Sequence, residues 1–114
     1  MTNNVMYENT INELRRGVIV LAVLSLLQEE QYGYELLKRI ADKGLVLDQG
    51  TLYPLLRRLE SQGLLKSNWN VEGARPRRYY VISSEGLKLM PQLKEEWNKN
   101  VSMMEKMLNK GENS

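Results

Sequence analysis

Six cationic side chains stand between Gln49 and Tyr79: Arg57, Arg58, Lys66, Arg75, Arg77 and Arg78. Only Glu60 and Glu72 oppose them, whereas from Ser84 to Ser114 five Lys face five Glu. The net charge of the chain is only +2. It is therefore the concentration of charge, not its total, that suits a polyanionic partner. Gln49, Thr51 and Tyr53 add hydrogen-bonding groups just ahead of the Arg pair. Together these groups can contact phosphate oxygens and base edges. Catalysis is poorly served by comparison. With no His and no Cys, imidazole acid–base chemistry, thiol nucleophiles, disulfides and the commonest metal ligands are absent. The remaining Asp, Glu, Lys, Tyr and Ser residues form no convergent group. No catalytic residue, metal or cofactor is expected.

The cationic segment needs elements to hold it. Leu52, Leu55, Leu56 and Leu59 recur at three- and four-residue steps, which predicts a helix over Gln49–Gly63 with one apolar face. Asp48 is a suitable N-cap and Gly63 a suitable stop. Pro54 lies near the helix start, with Gly50 at the position its ring would press on, so a local bend is expected rather than a break. Upstream, Tyr32–Asp42 reads as a second helix with Leu36, Leu37 and Ile40 inward, and Gly44 ends it in the left-handed conformation.

Before that, Ile11–Gln28 reads as a first helix capped by Thr10 or Asn12, with residues 1–9 frayed. Its Val18–Leu27 portion is apolar nearly all round, so it should be buried on more than one side. Arg15 and Arg16 mark its wet edge. After the third helix, Leu64–Val71 and Arg77–Ser83 read as strands, joined by a Glu72–Pro76 loop with a basic tip.

Three helices followed by a hairpin is the winged helix-turn-helix order. Ser83 then caps a last helix to about Asn109, interrupted near Leu89 by Pro91. Met90, Leu93, Trp97, Val101, Met104 and Leu108 form a coiled-coil-like seam along it. That seam needs a partner. The second subunit of a dimer is expected, aided by Leu14 and Val18 of the first helix. The fold class is thus mainly α (α+β), with a DNA-binding head over 10–83 and a dimerisation helix over 84–110.

The sequence resembles the PadR family of bacterial transcriptional regulators. The resemblance rests on Tyr32-Gly-Tyr-Glu-Leu, Gly50-Thr-Leu-Tyr-Pro-Leu-Leu-Arg-Arg-Leu-Glu, Gly63-Leu-Leu, and Arg75-Pro-Arg-Arg-Tyr-Tyr-Val-Ile-Ser-Ser-Glu-Gly. It runs from about Leu14 to Trp97. The single short C-terminal helix is similar to the small subfamily that includes multidrug-responsive repressors. The resemblance implies a homodimer in which each last helix packs on the first and last helices of the other subunit. It implies repression at a palindromic operator in double-stranded DNA. Trp97 resembles the Trp that lines a pore at the dimer centre of drug-binding relatives, which allows for a small aromatic effector; its plainer role is dimer core.

The residues expected at DNA are Tyr32, Gln49, Gly50, Thr51, Tyr53, Arg57, Arg58, Arg75, Arg77 and Arg78. Tyr32 is as fit for packing as for a phosphate. Arg57 and Arg58 can touch phosphates or pair with Glu60 or Glu35. Arg78 can lie under the sheet with its stem packed. The rival reading is a winged-helix module that docks a protein and not DNA. No stretch reaches the roughly 18 apolar residues of a membrane span, and MTNNVMYENT lacks a basic n-region. A cytoplasmic protein without membrane contact is expected.

Overall fold

A computed structural model describes residues 2–109, without the side chains of residues 2 and 3. The elements run α1 (Thr2–Leu26), β1 (Gln31–Tyr32), α2 (Gly33–Asp42), α3 (Gln49–Ser61), β2 (Leu65–Asn70), β3 (Arg77–Ile82) and α4 (Ser84–Leu108). The strands form an antiparallel sheet in the order β1-β3-β2. This is the winged helix-turn-helix arrangement, with β2 and β3 as the wing.

The leucine spacing of α3 does what it predicts. Leu52, Leu55, Leu56 and Leu59 are all buried, and full burial of each is worth about 1.5–3 kcal/mol. They meet Leu36 and Ile40 of α2, Val23 and Leu24 of α1, Leu27 just after it, and Leu65, Tyr80 and Ile82 of the sheet. Asp48 caps α3 by accepting the Thr51 N–H at 3.0 Å. Gly44 (φ 107°) and Gly63 (φ 84°) end α2 and α3 in the left-handed region, where glycine carries no Cβ penalty. Pro54 is tolerated within an unbroken α3.

Three expectations need correction. First, α1 begins at Thr2, not near Ile11. Thr10 is no cap; its hydroxyl donates back to the Met6 carbonyl at 2.7 Å inside the helix. Helix growth onto an existing nucleus adds one hydrogen bond per residue fixed, so the polar start extends a helix nucleated downstream. Second, Gln31–Tyr32 forms a strand, pairing Gln31 with Tyr80 and Tyr32 with Tyr79. Third, α4 is continuous across Pro91. The expected end of the last segment at residue 110 lies outside the described residues.

α1 carries two stripes. Ile19, Val23 and Leu27, with Leu24 beside them, enter the core. Leu14, Val18 and Leu21 follow a second line on the other side, with Leu14 72% exposed. The start of the α4 seam, Met90 and Leu93, packs against the core. Its continuation does not: Trp97, Val101, Met104 and Leu108 are exposed. The radius of gyration is 17.0 Å, against about 13 Å for a globule of this length, because two 25-residue helices extend past the head.

The joint between head and α4 is closely made. Ser83 N–H donates to the Leu64 carbonyl at 2.9 Å. Its hydroxyl donates to the Gly63 carbonyl at 2.6 Å and accepts the Gly86 N–H at 3.0 Å. A Cβ on Gly86 would lie 2.5 Å from the Leu64 carbonyl oxygen. Only glycine lets the first turn of α4 sit this close to Leu64, just ahead of β2.

Candidate nucleic-acid interface

With its leucines inward, α3 presents Gln49, Gly50, Thr51, Pro54, Arg57 and Arg58 to solvent. Its capped N-terminal turn carries free backbone donors, and the helix dipole favours anions there. The Thr51 hydroxyl and then the Thr51 N–H hold the Asp48 carboxyl below its ordinary value, so Asp48 stays a charged cap. Among the described residues, neither Arg57 nor Arg58 lies within ion-pair distance of a carboxylate. The two acids named as alternatives are engaged elsewhere. Glu35 accepts the Tyr32 N–H at 3.4 Å, and Glu60 pairs with Arg78 at 2.9 Å.

Tyr53 is half-buried and leans on the start of α2. A Cβ on Gly33 would collide with Tyr53 Cε1 and lie 3.1 Å from its Cζ. The glycine of the Tyr-Gly-Tyr motif is thus the seat of the Tyr53 ring, which locks α2 to α3. Tyr53 is thus first a packing residue.

The wing sorts its arginines by strand alternation. Arg77 and Tyr79 share the outer face of β3 with Tyr32 of β1. The Arg77 guanidinium stacks on the Tyr32 ring at 4.5 Å, and the Tyr32 and Tyr79 rings meet edge-on at 5.5 Å. Tyr32 therefore fixes where Arg77 points. Arg75 is exposed at the tip, where Gly73 takes φ 92° and the Glu72 N–H donates to Asn70 Oδ1 at 2.9 Å.

Arg78 faces the other way. It donates to Glu60 Oε1 at 2.9 Å and to Ser67 Oγ at 3.1 Å, while Ser67 donates to Glu60 Oε2 at 2.6 Å. Its guanidinium also lies over the rings of Trp69 and Tyr80. Burial pushes the Tyr80 hydroxyl above its ordinary pKa, with the Arg78 charge opposing. This network ties the wing to the end of α3. Of the ten residues expected at DNA, the structure gathers Gln49, Gly50, Thr51, Arg57, Arg58, Arg75 and Arg77 as exposed groups, and holds Tyr32, Tyr53 and Arg78 in packing contacts.

The sequence reading missed Glu60 and Ser67 as the wing's anchors, and Gly33 as the seat of Tyr53. It also missed a cleft of about 700 Å³ where Arg15 and Arg16 of α1 approach Arg58 of α3. Among the described residues no cluster of acids fit to hold a metal ion is present, and no helix is long and apolar enough to cross a membrane.

Comparison with known proteins agrees with this fold. The model of the transcriptional regulator PadR-like family matches residues 20–96. The crystal structure of a PadR family transcriptional regulator from Eggerthella lenta superposes with a TM-score of 0.85 at 44% identity, covering 95% of this chain and 96% of that one. A transcriptional regulator from Clostridium thermocellum gives 0.75 at 37% identity, covering 82% and 96%. Transcriptional regulator Rv3488 of Mycobacterium tuberculosis is 35% identical over 77 residues, 67% of this chain and 72% of that protein. These relatives are named as transcriptional regulators, and the chain belongs to the transcriptional regulator PadR-like family.

Proposed function

We propose that the chain is a homodimeric repressor that binds a palindromic operator in double-stranded DNA. One observation carries the reading: a capped α3, fixed to the core by four buried leucines, leaves Gln49, Gly50, Thr51 and Arg57 exposed together. An α-helix of this kind fits the major groove, its N-terminal residues nearest the bases. Arg75 and Arg77 flank it from the wing, where they can contact phosphate or the minor groove. Phosphate contacts supply most of the affinity and make it fall with salt.

The dimer is supported by the exposed apolar run of α4 and by the second stripe of α1, two surfaces costly to leave in water. A palindromic operator mirrors the two-fold axis such a pair would have. An aromatic effector at the dimer centre would lie against Trp97, 41% exposed in the single protomer. To release DNA it must bind one spacing of the heads more tightly than the other.

The experiment is selection of bound fragments from the host genome, followed by footprinting of the recovered site by the purified protein. Two protected half-sites about one helical turn apart support the reading. Recovery of no enriched sequence would refute it.

A further inference from the structure

We propose that the cleft between the N-terminal half of α1 and the flank of α3 is a binding site for an amphipathic organic anion. Its volume, about 700 Å³, lies in the range of small-molecule sites. The floor is apolar: Ile19 and Leu55 are 8% and 6% exposed, with Leu47 partly covered beside them. The rim is cationic, formed by Arg15, Arg16 and Arg58. Asp48 is the one acid on the lining, and it already accepts the Thr51 N–H at 3.0 Å. Glu13 lies 3.4 Å from Arg16, but both side chains are more than 70% exposed, and such a pair holds a guanidinium weakly.

The helix period explains why a cleft exists here. Arg15 and Arg16 precede Ile19 by four and three residues, so they continue the stripe that Ile19, Val23 and Leu27 carry into the core. Where that stripe changes from apolar to Arg, residues of α1 and α3 line an open cleft. An apolar body bearing a carboxylate, sulfonate or phosphate satisfies both halves. The body covers Ile19, Leu47 and Leu55, and the anionic group takes the paired donors of a guanidinium.

The site is separate from the dimer seam. Leu14, Val18 and Leu21 lie on the opposite side of α1, so a partner seated on them leaves the cleft open. The cleft also includes Thr51 and Arg58. A bound anion would therefore compete with DNA for these two residues, a consequence that rests on the function proposed above.

The test titrates 8-anilinonaphthalene-1-sulfonate into the full chain without DNA, following its fluorescence. The site predicts saturable enhancement that survives Trp97→Ala. It predicts that Arg15→Glu with Arg58→Glu raises Kd by at least about tenfold, as losing charge-assisted bonds should. Val46→Asp, at a rim residue 77% exposed, weakens binding in the same direction without touching the core. Circular dichroism and dimer mass stay unchanged in the double Arg variant and in Val46→Asp. Absence of saturable binding overturns the proposal. So does binding that Trp97→Ala abolishes and the double Arg variant retains. With no DNA in the titration, its failure leaves the operator reading standing, and loss of operator binding leaves the cleft standing.

Discussion

Replacing Gly86 with Ala should loosen the joint between the head and α4. The added Cβ would lie 2.5 Å from the Leu64 carbonyl oxygen and 2.6 Å from Ile82 Cγ1. Neither neighbour can yield freely. The Leu64 carbonyl accepts the Ser83 N–H at 2.9 Å, and Ile82 is 4% exposed within the core. Ordinary contact requires α4 to move by nearly an ångström, and overpacking of this kind costs about 1–3 kcal/mol. Loss of the Ser83 bond adds about 0.5–1.5 kcal/mol. A total of about 1.5–4.5 kcal/mol lowers Tm by roughly 6–19 °C for a domain of this size. The assay is thermal unfolding by circular dichroism at matched protomer concentration, because dimerisation makes Tm depend on concentration. Gly50→Ala is the control. It lies in the first turn of α3, where a Cβ meets only Asp48 Oδ2 at 3.7 Å, so the same chemical change should be neutral or stabilise by up to about 1 kcal/mol. Equal Tm values for Gly86→Ala and the parent would refute the reasoning.

Other perturbations have definite outcomes. Gly33→Ala should push the Tyr53 ring off its seat and lower operator affinity more than stability, as seen by comparing fluorescence anisotropy with thermal unfolding; a pure loss of stability would count against the α2–α3 lock. Arg78→Ala and Glu60→Ala should be non-additive, with a double-mutant coupling of about 1 kcal/mol for a half-exposed bonded pair; additive effects would mean that the wing is not anchored there. Asp48 is held below its ordinary pKa in the fold, so its stabilising contribution is present above the unfolded carboxylate value and lost as pH falls through the folded one. Asp48→Asn should therefore flatten the decline in stability at pH below about 4, and an unchanged acid limb would deny the cap its charge.

Much of the fold was legible because its signals are local. The leucines of α3, the caps at Asp48 and Ser83 and the left-handed glycines at positions 44 and 63 each act within a turn of themselves. The features that were not legible depend on distant partners. β1 has two residues and exists because Gln31 and Tyr32 meet Tyr80 and Tyr79. No period of two can show in a strand that short. Gln31 also tethers the end of α1, donating to the Leu26 carbonyl at 2.6 Å, a buried role that its polarity conceals. The candidate interface was readable as a concentration of Arg, but not how the arginines divide. Strand alternation puts Arg77 and Arg78 on opposite faces, and only the fold brings Glu60 to one and Tyr32 to the other. Similarly, Arg15 and Arg16 read as a wet edge because Arg58 approaches them only once α1 and α3 have packed.

The proposed function stands or falls on DNA being read by the N-terminal turn of α3. The most direct measurement is binding of the recovered operator at moderate salt by the parent protein and by Thr51→Ala/Tyr53→Ala, with dimer mass and thermal unfolding checked on both. The expected variant is a folded dimer that has lost discrimination between operator and unrelated duplex, keeping only the weak, salt-sensitive binding of its arginines. An undiminished operator shift by that variant would contradict it and place the discrimination on other residues of the chain.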